Sequence, residues 1–312
     1  MTALSGKIIL LTGGTGFIGS HLAARLRQIS DVKLVLLSRR TMHGTSENFI
    51  PVNSSLKELT RDTWLNHNIE KIDIVFHLGA FTPKRGSEGD CIEPIYNDNL
   101  IGTRALLESL PGVPERIVFA STLDVYAPPP ENAVLTEQSP LQPSSLYGAS
   151  KLFCENLVRT YARQHGCGYA ILRYGHIYGP GEGAYAKVIP LAIKSLLRNE
   201  SPVLFGDGSV KRDFLFVTDA VEATVRAALT NNRALDPVNI VRGESRTIRE
   251  YVETLCRLIG FSGEITYQAD KPAGRSVKFN NDKMAETLGC WKTVELEEGL
   301  RQEIEYFRNA RD

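Results

Sequence analysis

Residues Thr12-Gly13-Gly14-Thr15-Gly16-Phe17-Ile18-Gly19 follow the apolar run Lys7–Thr12 and open an amphipathic stretch, Ile18–Ile29. The glycines satisfy GxGxxG through Gly14, Gly16 and Gly19, and GxxGxxG through Gly13, Gly16 and Gly19. Glycine is needed where a turn demands unusual dihedrals and where backbone must approach a pyrophosphate. The N–H groups at the start of the following helix then face that anion. Any tight turn can use glycine. At the first strand-to-helix junction of an alternating pattern, however, the loop reads as a dinucleotide site.

That alternation is present. Val32–Leu37, Ile72–Leu78, Arg116–Ser121 and Tyr169–Arg173 are strand-length apolar runs without polar alternation, as expected of strands covered on both faces. Helical patterns at Leu100–Leu110 and Leu146–His165 separate them. The fold class expected is α/β: a doubly wound parallel sheet of the Rossmann type with a smaller mixed α/β cap. After Tyr174 the rhythm changes at Gly175, Gly179-Pro180-Gly181 and Gly183. A helix near Lys187–Arg198, strands at Phe214–Val217 and Val238–Val241, a helix at Asp219–Leu229 and a final helix near Leu296–Arg308 follow. The expected division is residues 1–175, with 213–241 returning to them, as the dinucleotide-binding domain, and 176–212 with 242–312 as the cap.

Composition narrows the function. The 312 residues include 36 basic and 36 acidic side chains, so the formal net charge is zero. That balance argues against a nucleic-acid partner, which would call for a basic excess or stripe. No apolar stretch is long enough to span a bilayer and no secretory pattern opens the chain, so no membrane partner and a cytoplasmic location are expected. Cys91, Cys154, Cys167, Cys256 and Cys290 are scattered and form no CxxC pair, and the histidines form no metal-type spacing. Free thiols and no metal are the expectation.

The end of the second strand bears on which dinucleotide is bound. An NAD site usually carries Asp or Glu there for the ribose 2′-hydroxyl. Here the residues are Leu37-Ser38-Arg39-Arg40. Guanidinium groups suit a 2′-phosphate, so NADP(H) is favoured and NAD(H) is the alternative. Tyr147 and Lys151 lie at i and i+4 on one helix face, where an ammonium favours the phenolate form of the tyrosine. Tyr267 and Lys271 repeat the spacing, but they follow a strand-like run and precede Pro272, so that copy reads as non-helical.

Further blocks extend the pattern: His77-Leu78-Gly79-Ala80, Asn99-Leu100-Ile101-Gly102-Thr103, Ser121-Thr122-Leu123-Asp124-Val125-Tyr126, Leu172-Arg173-Tyr174-Gly175-His176 through Gly181, and Phe205-Gly206-Asp207-Gly208 through Asp219. With the glycine loop and Tyr-x-x-x-Lys, they give the chain a near full-length resemblance to the extended short-chain dehydrogenase/reductase family, in its nucleotide-sugar epimerase, dehydratase and reductase branch. The resemblance implies a catalytic set of Thr122, Tyr147 and Lys151, with Asp124 a further candidate. It implies cofactor contacts from Gly13, Gly14, Thr15, Gly16, Phe17, Ile18, Gly19, Ser38, Arg39, Arg40, Leu78, Gly79, Ala80, Asn99, Tyr147, Lys151 and Tyr174. Substrate contacts would come from Thr82, Thr122, His176, Arg212 and Arg275, with Arg212 facing the diphosphate of a nucleoside-diphosphate sugar and Arg275 a second basic position in the cap. A homodimer formed through the Tyr147–Lys151 helix is a further implication.

Two positions depart from the family pattern. Dehydratases of the branch place proton-transferring acids after the threonine, where this chain has Leu123 and Asp124, which counts against dehydration. His176 stands where asparagine is usual. The leading expectation is an NADP(H)-dependent reductase of a nucleoside-diphosphate 4-keto(-6-deoxy) sugar acting at C4. The alternative is an NAD-dependent nucleotide-sugar 4-epimerase, which would need the same residues. A non-catalytic dinucleotide sensor is disfavoured because Thr122, Tyr147, Lys151 and Arg212 are all present.

Overall fold

Strands β1 (Ile8–Thr12), β2 (Lys33–Ser38), β3 (Phe49–Asn53), β4 (Ile74–His77), β5 (Arg116–Thr122), β6 (Gly168–Tyr174) and β7 (Ala234–Ile240) form one sheet in the order β7-β6-β5-β4-β1-β2-β3. Every pairing in it is parallel. The computed structural model describes all residues except 1, 43, 45, 84–90, 131–132, 185–186, 271–273 and 311–312. Successive strand residues point to opposite faces. Accordingly Ile9, Leu11, Leu34 and Leu36 join one buried apolar cluster, while Leu10, Val35, Leu37 and Val75 join another. Helices α1 (Phe17–Leu26), α2 (Gly102–Ser109), α3 (Leu146–His165), α4 (Val188–Leu197), α5 (Val217–Leu229), α6 (Ile248–Ile259) and α7 (Leu296–Asn309) complete the frame. Leu22 and Leu26 of α1 pack with Val221 and Val225 of α5 on the first face. Leu106 and Leu107 of α2 pack with Val158 and Ala162 of α3 on the second.

The expected doubly wound Rossmann architecture is therefore present, and the reading of Leu146–His165 as one helix agrees with α3 to the residue. The side chain of Ser145 caps that helix by accepting from the Gly148 N–H at 3.0 Å, and Gly166 ends it at φ 72°. Strand β3 escapes a reading by pattern because it is short and contains Pro51. It lies at the sheet edge, where a proline's missing N–H costs least. The helix expected at Leu100–Leu110 starts earlier: Ile95–Ile101 is a π-helical segment running into α2.

Beyond β6 the chain builds smaller sheets. Strand 211–216 overlaps the start of the stretch 213–241 expected to return to the dinucleotide-binding domain, and it is not a strand of the large sheet. It pairs instead with strands 176–178 and 245–247. Aromatic packing explains the difference: Phe214 stacks edge-on against Tyr251 and Tyr178, and Phe216 against Tyr178. Only β7 rejoins the large sheet, beside β6. Tyr267 of the second Tyr…Lys spacing lies in strand Thr266–Gln268, and Lys271 falls outside the described residues.

A buried polar knot joins α3 to the sheet. The Glu155 carboxylate, fully buried, accepts from Arg173 Nε at 2.9 Å, Arg173 Nη2 at 2.8 Å and Ser121 Oγ at 2.6 Å. Arg173 Nη1 also donates to the Tyr126 hydroxyl at 2.9 Å, which donates to Asn239 Oδ1 at 2.7 Å. Arg159 Nη2 lies 3.5 Å from Glu155 Oε2, but it is a weaker contact, so removing Arg173 strips the buried Glu155 of its two short bonds to a guanidinium. Arg173→Met should therefore lower unfolding stability by about 3–5 kcal/mol in urea titrations. Glu155→Met/Arg173→Met together should cost clearly less than the sum of the single changes, because neither variant of the pair then strands a charge.

Candidate active site

The sheet order reverses between β1 and β4, and in open α/β sheets the crevice beyond the strand ends at such a point receives ligands. The glycine loop sits there. Gly13 has φ 74°, and a methyl group on it would lie 2.7 Å from the Gly79 backbone nitrogen in the loop after β4. A methyl group on Gly19 would lie 2.1 Å from the Gly13 carbonyl oxygen. These contacts draw α1 tightly onto the loop. Its N-cap is Gly16, with no side chain on the first turn's N–H groups. His77 braces the two loops from below. Its Nδ1 meets Thr12 Oγ1 at 2.8 Å and its Nε2 meets Thr103 Oγ1 at 3.0 Å, while Gly79 N–H donates to Thr12 Oγ1 at 2.9 Å. Burial first, then the Lys151 charge, lowers the His77 pKa to about 3, so the ring is neutral.

A cavity of about 1430 Å³ opens above this loop. It is larger than the several hundred Å³ usual for one small ligand. Gly13, Thr15, Gly16, Phe17, Ile18, Gly19, Ser38, Arg39, Arg40, Leu78, Gly79 and Ala80 line it. Thr82, Thr122, Asp124, Tyr147, Lys151, Tyr174, His176, Arg212 and Arg275 line it as well. Two residues singled out in the sequence stand elsewhere. Gly14 faces the core, where a methyl group would meet Leu36 Cδ1 at 2.8 Å. The buried Asn99 clasps Phe81, accepting from its N–H at 2.7 Å and donating to its carbonyl at 3.1 Å, and also reaches Ser150 Oγ at 3.0 Å. It positions the wall of the cavity rather than lining it.

Thr122 ends β5, and its hydroxyl oxygen accepts from the Asp124 N–H at 3.2 Å, capping the short turn Leu123–Val125. That leaves the hydroxyl hydrogen as a donor toward the cavity. Gly148 lets α3 pack onto this turn, since a methyl group there would lie 2.3 Å from the Asp124 carbonyl oxygen. The close approach brings Tyr147 and Lys151 to the same cavity as Thr122. Lys151 is buried, donates to the Ala120 carbonyl at 2.7 Å and lies 4.8 Å from the centre of the Phe119 ring. Burial lowers its pKa from the usual 10.5 to about 8. Tyr174 is different: its hydroxyl meets Thr224 Oγ1 at 2.5 Å, so only the rest of the residue is turned to the cavity.

At the far end, Arg212 Nη1 donates to the Arg275 carbonyl at 2.6 Å and to the Lys211 carbonyl at 2.9 Å. Among the described residues neither Arg212 nor Arg275 has a carboxylate within ion-pair distance, so this end is electropositive. Asp213, the next residue, points away and accepts from the Arg242 and Gly243 N–H groups at 2.8 Å each. His176 lines the cavity and is exposed at the surface. Desolvation by the surrounding protein, followed by the Arg212 and Lys187 charges, lowers its pKa to about 4. Lys187 also lines the cavity and donates to Glu182 Oε2 and the Ile177 carbonyl, both at 2.9 Å.

Two charged lining residues were invisible to sequence reasoning. Lys187 follows a glycine-rich loop without any motif of its own. Asp98, in the π-helical segment, reaches Arg39 Nη1 with its Oδ2 at 2.8 Å. Nothing in the sequence pairs residues so far apart. The distance shows that Arg39, expected as a receptor for a phosphate, already holds a carboxylate.

A sheet of this order, with a glycine loop at its switch point and a Tyr–Lys pair facing it, defines a dinucleotide-linked α/β enzyme class. Residues 9–241 match the NAD dependent epimerase/dehydratase family, and the chain belongs to that family, within the extended short-chain dehydrogenases/reductases. It is 33% identical to a Methanocaldococcus jannaschii protein named "Putative UDP-glucose 4-epimerase", over 97% of this chain and 99% of the relative. It is 30% identical to an Arabidopsis thaliana trifunctional UDP-glucose 4,6-dehydratase/UDP-4-keto-6-deoxy-D-glucose 3,5-epimerase/UDP-4-keto-L-rhamnose-reductase, over 98% of this chain but only 48% of that protein. Among solved structures, the Bacillus cereus UDP-glucuronic acid 4-epimerase in complex with UDP-glucuronic acid and NAD superposes with a TM-score of 0.84. It is 26% identical, over 97% of this chain and 99% of the other.

Because its pKa lies near 4, His176 is neutral from pH 5 to 8 in the free protein. The pH profile of kcat/KM, which reports free-enzyme groups, should keep its shape over that range in His176→Asn, whatever happens to KM. Loss of an inflection between pH 5 and 8 in that variant would show that the histidine titrates there.

Proposed function

We propose that this protein is an NAD-dependent 4-epimerase of a UDP-linked sugar. The observation that carries the reading is the single cavity that holds the glycine loop, the Thr122–Tyr147–Lys151 set and the Arg212–Arg275 end together. A dinucleotide fits the first part: the backbone at Gly13 and Gly19 leaves no room for side chains, and the start of α1 offers uncapped N–H groups. Gly13, Gly16 and Gly19 would lie against the pyrophosphate, and Lys151 would hold the nicotinamide ribose. NAD bound there supplies a reversible hydride acceptor beside the sugar. Residues 1–175 with 217–241 would serve the cofactor, and the small sheets and helices of 176–216 and 242–312 the sugar nucleotide.

Tyr147 would take the proton of the sugar's C4 hydroxyl and later return it, with Thr122 donating a hydrogen bond to the same oxygen. Lys151, still protonated below about pH 8, stabilises the tyrosinate that this exchange requires. Inversion at C4 needs the ring to turn between the two proton transfers while the diphosphate stays held, a task for Arg212 and Arg275. No other acid or base is needed. That agrees with Leu123 packing into an apolar cluster beside Val125 and Tyr126, and with an exposed Asp124 whose N–H serves the turn.

Both named 4-epimerases among the relatives support this reading over the reductase expected from Arg39 and Arg40. The reductase reading keeps one observation in its favour, Arg40 beside Ser38 in the cavity wall. A homodimer is also proposed, from the exposed apolar side chains of Ile92 (58%), Tyr96 (54%) and Phe153 (52%) on neighbouring helical segments.

Denaturing the purified protein and weighing the released nucleotide separates the readings: near-stoichiometric NAD is expected, and NADP, or NADPH-dependent reduction of a 4-keto sugar, would favour the reductase. Tyr147→Phe should reduce interconversion of UDP-hexose C4 epimers, followed by proton NMR, by roughly a thousandfold or more while retaining NAD. Arg212→Ala should raise KM for the UDP-sugar by roughly 10–100-fold, the worth of a charge-assisted hydrogen bond. Wild-type activity that survives in Tyr147→Phe would remove that residue from the chemistry.

A further inference from the structure

We propose that Asp98 selects the cofactor: by holding Arg39 and standing at the adenosine-ribose end of the cavity, its carboxylate excludes a 2′-phosphate and makes the site one for NAD. This rests on the reading of the cavity as a dinucleotide site. The acid that an NAD site usually carries at the end of the second strand is missing here, where Ser38-Arg39-Arg40 follow Leu37. The fold supplies one from another element. Asp98 Oδ2 lies 2.8 Å from Arg39 Nη1, and both residues line the cavity with Ser38 and Arg40.

The two partners differ in freedom. The Asp98 side chain is 17% exposed and that of Arg39 is 65% exposed, so the carboxylate is the fixed member and the guanidinium the one that comes to it. The anchoring is visible one residue on, where Asn99 is bonded to both backbone groups of Phe81 and to Ser150. The π-helical turn Ile95–Ile101 turns consecutive residues to different tasks. Asn99 is buried and Asp98 faces the cavity. Such turns are frequent at functional positions.

The chemistry follows from charge. A 2′-phosphate entering this corner would meet an anion, and the arginine that could pair with it bidentately has one of its nitrogens committed to Asp98. A ribose 2′-hydroxyl carries no charge and can donate to the same carboxylate. Arginines at the end of β2, which by themselves speak for NADP, therefore become compatible with NAD once Asp98 is in place.

The test is isothermal titration of NAD+ and NADP+ into the full-length protein freed of nucleotide, for the wild type, Asp98→Asn, Asp98→Ser and Arg39→Ala/Asp98→Asn. The wild type is expected to prefer NAD+. Both single variants should move the Kd ratio toward NADP+ by roughly tenfold or more, the scale of one lost charge repulsion plus one freed guanidinium. The double variant should lose much of that gain, because the freed arginine is what receives the phosphate. Asp98→Ser keeps the test decisive should Asp98→Asn not fold. Unchanged ratios in a folded single variant, or a wild type that prefers NADP+, would overturn the proposal while leaving the dinucleotide site intact. A wild type that binds neither nucleotide would overturn the reading of the cavity itself.

Discussion

The buried Glu155–Arg173 pair is the interaction on which the site's geometry depends. Arg173 belongs to β6, Glu155 to α3, and Ser121, which donates to Glu155, immediately precedes Thr122 on β5. One ion pair thus fixes the helix that carries Tyr147 and Lys151 against the strand that carries Thr122. Burying two charges is costly unless every lone pair and proton is used, and here the carboxylate and the guanidinium are both multiply bonded. Such a pair tolerates few alternative packings, which suits a set of side chains that must meet across separate elements.

The same logic of close approach recurs at two smaller contacts. Gly148 admits the Asp124 carbonyl, and Gly19 admits the Gly13 carbonyl, each at a distance no side chain would allow. The first seats the proton-transferring helix on the Thr122 turn. The second seats the anion-facing end of α1 on the glycine loop. Between these contacts lies the cavity: His77 is held uncharged beneath it, and the buried Lys151 keeps its proton up to about pH 8. Arg212 and Arg275 stand at one end of it and Arg39 with Asp98 at the other.

Much of this was legible in the linear chain because the signals are local. Strands buried on both faces must be continuous apolar runs, a pyrophosphate turn must be glycine-rich, and an i, i+4 pair shares a helix face whatever surrounds it. The limits of α3, the parallel sheet, the glycine loop and the Tyr147–Lys151 pair follow from such rules, whereas Thr82, Thr122, His176, Arg212 and Arg275 were expected only from the family resemblance. Where local rules end, the tertiary structure decides. Strand β3 hides behind Pro51, which only an edge position tolerates, and strand 211–216 joins a small sheet because Phe214 and Phe216 find Tyr178 and Tyr251. Gly14 and Asn99 belong to the motif yet serve packing and positioning rather than the cavity surface.

What the sequence determined by itself was the class of the protein: a sheet built for a dinucleotide, with a tyrosine and a lysine paired on one helix face. The tertiary structure decided the environment of each charged group. Arg39 reads as a phosphate receptor until Asp98, 59 residues away in the chain, is found 2.8 Å from it. His176, expected as a substrate contact, is kept neutral by desolvation and by the Arg212 and Lys187 charges. Backbone conformation and helix faces are set by neighbours in the chain, which a sequence displays. Electrostatic character is set by burial and by through-space partners, which only the folded arrangement brings together.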